Sequence, residues 1–305
     1  MSLLPPEPVV PDELCSRASF RVRYDDIGQT GHLLLHALPI ALGQTGWAVV
    51  SRMVAEEVFR KTRVLPILSR FIMEAGSAPF SVNTPLDAEG RIQFAHTIDP
   101  EGNVDRLVLN MWCSVHGFSG HTHGFPVPNA GERLFAGRIF AEHVLTRPFD
   151  PPENRRVTEL ELPGFPRIPE ARSERRPPDD VLALPSGAEW LDDAMALDPA
   201  PIVFGSDRTD SNMHVNSLVY SRIFTDAILR RLWTHEKRFA LRANTLNIAF
   251  RKPSFSGERV HVALRAFTQG DQYGAAAVLL GDEDAVRPIE MVKPRVFAQM
   301  SFVRE

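Results

Sequence analysis

Proline decides how this chain can be organised. Of its 25 prolines, eleven fall between Pro148 and Pro201. Each one removes a backbone donor and fixes φ, which opposes continuous helix or central strand. The same stretch carries the solvated run Glu170-Ala-Arg-Ser-Glu-Arg-Arg176. Residues 148–201 therefore read as a linker laid over the surface, with a short helix near Ala188 to Ala196. Two domains of ordinary size remain, 15–147 and 202–305.

The order of elements looks the same in both. In the second, a strand at Pro201-Ile-Val-Phe204 leads into the polar turn Gly205 to His214. Val215, Leu218, Val219, Ile223, Ala227, Ile228 and Leu232 then recur at three- and four-residue steps, which predicts a helix. Four strand-like runs follow, Phe239–Phe250, Arg259–Thr268, Tyr273–Leu280 and Arg295–Val303, punctuated by Gly257, Gly270-Asp271 and Gly281-Asp282. The first domain has a strand at Phe20–Tyr24, a polar turn at Asp25–His32, and a helical stripe through Leu34, Leu38, Leu42, Thr45, Val49 and Met53. Pro39 fits that helix only at its beginning. Runs at Arg91–Ile98, Arg106–Trp112 and Arg133–Leu145 read as strands. Placing Asp25 on Asp207 also places His32 on His214. One strand, one helix and several antiparallel strands, twice over, predict an α+β fold in which a sheet wraps a helix.

Composition narrows the function. With 34 basic against 38 acidic residues, the chain lacks the basic surplus expected of a nucleic-acid binder. Two cysteines, Cys15 and Cys113, cannot build a disulfide framework. The first residues lack the basic and apolar segments of a signal peptide. No apolar run approaches the ~20 residues needed to span a bilayer. A cytoplasmic protein is the expectation.

Chemistry concentrates in Thr209-Asp-Ser-Asn-Met-His-Val-Asn-Ser-Leu-Val-Tyr220. Asp210, Asn212 and His214 alternate, so an extended turn would put their side chains on one side. They stand directly before the predicted helix, whose first free amides, around Val215 and Asn216, would point outward with the positive end of the dipole. Such donors suit a carbonyl that must become an oxyanion. An imidazole, an amide and a carboxylate beside them supply a general base, a polariser and an orienting group. A plainer reading leaves Asp210 or Asn212 as a helix cap.

The segment Asp210 to Tyr220 resembles the Asp-x-Asn-x-His-Val-Asn-Asn-x-x-Tyr signature of hot-dog acyl-acyl-carrier-protein thioesterases, with close variants in hot-dog acyl-CoA thioesterases. That resemblance implies two tandem hot dogs, each an antiparallel sheet wrapping a central helix. It implies Asn212 and His214 as catalytic, with Asp210 orienting them, and a fatty acyl thioester on coenzyme A or acyl carrier protein as substrate. Val215, Asn216 and Ser254 would contact that substrate, and no cofactor or metal is called for. The family usually places an acidic residue and a cysteine after the next strand's basic pair. Here Arg251-Lys252 is followed by Pro253-Ser254. Ser254 stands where the thiol would be, and Asp210 or Glu258 would have to supply the carboxylate. Gln29-Thr-Gly-His32 lacks an Asn-x-His, so one active site per chain is expected.

Other signals are weaker. His116, His121 and His123, with Cys113 upstream, form a histidine cluster that matches no familiar ligand spacing and reads as a loop. Asp25, Asp26 and His32 read as a decayed duplicate of the second turn. Ser254 and Ser256 lack a G-x-S-x-G elbow, and the glycines form neither a P-loop nor a dinucleotide fingerprint. Arg230-Arg231 with Lys237-Arg238 most simply complements the helix dipole, and a phosphopantetheine or acidic carrier is its alternative use. Besides thioester hydrolysis, two functions stay open. One is a dehydratase or hydratase on 3-hydroxyacyl or enoyl thioesters, using His214 with Asp210. The other is an acyl-thioester-binding protein without turnover. A monomer suffices if the tandem domains share one sheet, although exposed edges would favour a homodimer.

Overall fold

Period-two burial runs along the long strands and places the sheet. In β3 (Leu86–Ile98), buried and half-buried positions alternate from Leu86 to Phe94, as they must when one face of a strand meets a core. The computed structural model describes residues 3–54, 60–124, 127–235 and 240–304. Its first half contains β1 (Cys15–Phe20), two helices, α1 (Pro39–Gln44) and α2 (Gly46–Met53), then β2 (Leu65–Ala75), β3, β4 (Val104–Phe118) and β5 (Arg133–Thr146). Short strands β6 (Glu189–Trp190), β7 (Ala196–Leu197) and β8 (Ile202–Val203) precede the helix α3 (Ser217–His235). The chain ends with β9 (Leu241–Phe250), β10 (Arg259–Gln269), β11 (Gln272–Gly281) and β12 (Val296–Arg304).

Among the described residues these strands form one antiparallel sheet in the order β1-β3-β4-β5-β2-β9-β12-β11-β10-β6, with β7 and β8 also on β10. The first half runs β1-β3-β4-β5-β2. The second mirrors it as β8-β10-β11-β12-β9. The two meet where β2 pairs with β9, from Arg70 opposite Ala249 to Glu74 opposite Thr245. Each half inserts its helices between its first and second strands, so the fold is a tandem pair of hot dogs.

α3 buries Ile223, Phe224, Ala227, Ile228 and Leu232, the stripe predicted from three- and four-residue steps. In the first half that stripe breaks. Pro39 stands at the first turn of α1, where its missing donor costs nothing. The path then kinks at Thr45, whose hydroxyl donates to Ala41 O at 2.8 Å. Gly90 of β3 makes room for the kink, since a Cβ there would collide with Thr45 Oγ1.

Two expectations are corrected, and one strand is added. The first strand lies at Cys15–Phe20, because Tyr24–Asp26 folds into a 3-10 turn whose Asp26 carboxylate accepts from Arg23 N at 2.8 Å. β2 has no period-two signature in the sequence, because Arg70, Phe71, Ile72 and Met73 are all buried at the centre of the sheet. No helix forms at Ala188–Ala196. That stretch is extended and pairs with the open edge of β10, Trp190 opposite Phe267 and Ala196 opposite Leu264, satisfying donors that would otherwise be unpaired. The predicted start of β9 at Phe239 lies outside the described residues.

The proline-rich segment crosses the sheet's outer face. Val181 is buried there among Ala249, Ala263, Val278, Leu280 and Phe297. The buried Arg70 donates to Pro177 O at 3.0 Å and Asp180 Oδ1 at 2.6 Å. None of the described helices is long and apolar enough to cross a membrane.

Candidate active site

The turn before α3 is held by its backbone. Thr209 bridges Val215, Asp210 N donates to His214 O at 3.0 Å, and Met213 N donates to Asp210 O at 2.9 Å. Closing so tight a loop puts Met213 at φ 60°, the left-handed region that L-residues occupy only under constraint. Its side chain is 79% exposed. Asp210 Oδ1 accepts from Asn212 N at 2.9 Å, an Asx turn. Asn216 Oδ1 accepts from Leu218 N at 2.9 Å and so caps α3. The helix is capped by Asn216, not by Asp210 or Asn212.

Asn212 is exposed and His214 half-buried at the head of α3. The His214 ring meets Phe255 edge to face, with centroids 5.4 Å apart. Among the described residues it hydrogen-bonds to neither Asp210 nor Asn212. Asp210 thus acts on the loop that presents the imidazole rather than on the imidazole itself.

The expected free amides are corrected. Val215 N donates to Ser254 O at 2.8 Å and Asn216 N to Arg208 O at 2.9 Å. Ser254 is also not displayed to a ligand. It is 0% exposed, and its hydroxyl lies 3.5 Å from Arg295 Nη1. The Tyr220 phenol, raised above its usual value by burial, hydrogen-bonds to it. Arg295 pairs in turn with Glu258, whose carboxylate also accepts from Phe255 N at 3.0 Å. Tyr220, Ser254 and Arg295 form a buried polar network under the turn, closed at its edge by the half-buried Glu258. The sequence offered the motif's tyrosine as a clue to it, but gave no sign of Arg295.

The first turn copies most of the second's backbone bonds. The 3-10 turns Tyr24–Asp26 and Ser206–Arg208 correspond, as do the bridges Ile27 to Leu33 and Thr209 to Val215. Gly28 N donates to His32 O at 2.8 Å, Gly31 N to Gly28 O at 3.0 Å and Leu34 N to Asp26 O at 2.9 Å. Gly31, at φ 82°, stands where Met213 does. Every pair keeps the offset that separates His32 from His214. Gly28 therefore replaces Asp210 and Thr30 replaces Asn212.

The other candidates disperse. His116 packs on Phe135 and His123 on Tyr24, and His121 fills the space beside Gly31 and Gly124. Among the described residues no group of three or more His, Cys, Asp or Glu is placed to hold a metal. Cys113 is buried beside Thr45, and burial pushes its thiol up to about 11. Arg230 makes two bonds to Asp198, at 3.0 and 2.6 Å, and Arg231 two to Asp192, at 3.1 and 2.5 Å. These arginines fasten α3 to the proline-rich segment instead of forming an open basic patch. Lys237 and Arg238 lie outside the described residues.

No protein-family model matches the sequence, and no curated protein matches it. Solved structures do. A provisionally assigned oleoyl thioesterase from Lactobacillus plantarum is 13% identical, with 95% of each chain covered and a TM-score of 0.62. An acyl-ACP thioesterase from Bacteroides thetaiotaomicron is 14% identical over 95% of this chain and 98% of its own, with a TM-score of 0.59. A 12:0-ACP thioesterase from Umbellularia californica is 12% identical over 96% and 95%, with a TM-score of 0.57. At these identities the likeness establishes the double hot-dog fold across nearly the whole chain.

Proposed function

We propose that the chain is a thioesterase that hydrolyses fatty acyl thioesters of coenzyme A or acyl carrier protein, with Asp210, Asn212 and His214 as its working residues. One observation carries the reading. An imidazole stands half-exposed at the head of α3, on a turn rigidified by Asp210, in a fold shared with structures described as thioesterases. His214 takes a proton from water as the water oxygen attacks the thioester carbonyl. The oxyanion is met by the Asn212 amide and the positive end of α3. With the Val215 and Asn216 amides engaged elsewhere, Ser217 N–H is the next backbone donor in line. The C–S bond then breaks, and the departing thiolate takes the proton from the imidazolium, leaving free acid and thiol.

The test is a thiol-release assay over a series of acyl-CoA chain lengths, comparing wild type with His214→Ala. Loss of general-base catalysis should lower the rate roughly 10²- to 10⁴-fold. The melting temperature should stay near wild type, because the ring's one aromatic contact is Phe255 at the surface. Wild-type turnover by His214→Ala would refute the assignment.

A second reading, acyl-thioester binding without turnover, is favoured by the commitment of Glu258 to Arg295. Under it, acyl-CoA binds wild type tightly and no thiol appears over hours.

A further inference from the structure

A cavity of about 350 Å³ lies against the first turn, not the second. Thr30 and His32 form one side of it, and Arg222 and Leu229 of α3 form the other. Leu34 and Phe302 close it with apolar surface. Asp210, Asn212, His214 and Ser254 are all absent from its lining. Its α3 residues, Ser221 to Leu229, lie roughly 6–18 Å along the axis from the helix's first residue. The volume falls at the small end of the roughly 300–1,000 Å³ usual for small-molecule sites, and an apolar body with a few polar groups is their usual make-up.

Among the described residues, two polar groups in the wall keep unused hydrogen-bonding capacity. The Nε2 atom of His36 is buried without a hydrogen bond and stands 3.9 Å from Asp26 Oδ1. Arg222, four residues before Asp226 on α3, forms no ion pair among the described residues. It lies close enough to His36 to disfavour that ring's protonation, although burial is the larger cause. Asp25, Asp226 and Arg242 also line the cavity. Within that mixed rim Arg222 and the His36 ring are the groups that an oxygen-bearing head could meet, with Leu34, Leu229 and Phe302 beside them for its chain.

Chemistry at the first turn differs from that at the second. His32 Nε2 lies 3.0 Å from Ser77 O. A carbonyl only accepts, so this nitrogen carries the proton. Nδ1 faces Thr30 Oγ1 at 3.1 Å. Both ring nitrogens are engaged, and Gly28 and Thr30 have replaced the carboxylate and the amide. The turn keeps its shape and its imidazole and has lost the means to activate water.

We propose that this cavity is a second acyl site, taking a medium-length aliphatic chain with a carboxylate or carbonyl head and leaving it unhydrolysed. The ligand class rests on the thioesterase reading. The head could belong to a free acid or to an intact thioester, so the experiment uses a probe for each. Octanoate stands for the free acid. S-(2-oxononyl)-CoA, a ketone with a methylene between sulfur and carbonyl, stands for the thioester and cannot be hydrolysed.

Calorimetric titration of wild type, His214→Ala, Ala243→Trp and Arg222→Glu decides. Ala243 lines the cavity, and an indole there fills it. The proposal expects an octanoate site that survives in His214→Ala, disappears in Ala243→Trp and weakens at least tenfold in Arg222→Glu. If Ala243→Trp also removes one equivalent of the ketone, the cavity accepts the thioester; if the ketone is untouched, it is a free-acid site. Should Ala243→Trp fail to fold, the exposed Arg222→Glu carries the test alone. Loss of the octanoate site in His214→Ala would make the cavity part of the catalytic site and overturn the proposal, as would the absence of any site that Ala243→Trp or Arg222→Glu alters. Failure of wild type to release thiol would sink the thioesterase reading by itself, because octanoate binding needs no turnover.

Discussion

His143 shows how strongly a single residue feels its place in this fold. It sits on β5, buried, with Nδ1 unpartnered and its ring edge-on to Trp47 at 5.1 Å. Burial lowers its pKa to about 4, and a backbone bond to Leu109 only partly opposes this. The folded state therefore holds the neutral ring, while the unfolded chain protonates near 6.5. Stability from this group is complete above 6.5 and is lost as pH falls from there towards 4. Between pH 7 and pH 5 the loss is about 2 kcal/mol by linkage. Urea unfolding at both pH values should show wild type losing that much more than His143→Leu; equal losses would refute the shift. Other residue-level facts were legible in advance. The His214 loop could be read because alternating polar residues before a helical stripe have few local explanations. The committed amides of Val215 and Asn216 could not, because their acceptors, Ser254 O and Arg208 O, are set by tertiary folding and a turn closure.

Among the elements, legibility followed periodicity and turn punctuation. α3 was placed to within a few residues by its one buried stripe, and β10 to β12 by alternation or by the glycine turns that bound them, although β11 is buried from Gly274 to Gly281. β2, buried on both faces, left no alternation to read. The segment 188–197 misled for the opposite reason. Its sequence suits a short helix, and the open edge of β10 overrides that local preference. Asp192 holds this edge in place. Its carboxylate receives Arg231 Nη2 at 2.5 Å, Ala266 N at 2.8 Å and His235 Nε2 at 2.8 Å. Burial pushes its pKa up, and these bonds more than offset that, leaving it below the usual carboxylate value. Asp192→Ala leaves the buried Ala266 amide without its acceptor, while the part-exposed Arg231 and His235 can turn to water, so it should destabilise the protein by about 2 kcal/mol, the scale for a stranded buried donor. Chemical denaturation measures the cost, and hydrogen exchange at Ala266 locates it. A change under 1 kcal/mol would show that the edge strands hold without this residue.

At the scale of the whole molecule, the sequence indicates two alike halves that could share one sheet, but not which strands join them. The joint is a run of paired residues between β2 and β9, with Ile72 opposite Asn247. Around it lies one apolar cluster containing Phe71 and Met73 of the first half together with Leu246 and Ile248 of the second. The cavity proposed as a second acyl site is likewise walled by the first turn and by α3. Splitting the halves would expose the β2 and β9 edges and open this shared core. Either half alone would carry an unpaired hydrophobic edge, the situation that natural sheets avoid. Independent tandem domains melt in separate steps, whereas halves that share a sheet and a core should melt as one. Scanning calorimetry should therefore give a single transition whose calorimetric and van't Hoff enthalpies agree. Asp192→Ala, although confined to the second half, should move that whole transition instead of splitting off a shoulder. Two resolved transitions in wild type would mean that the β2–β9 joint is an interface between separately stable domains.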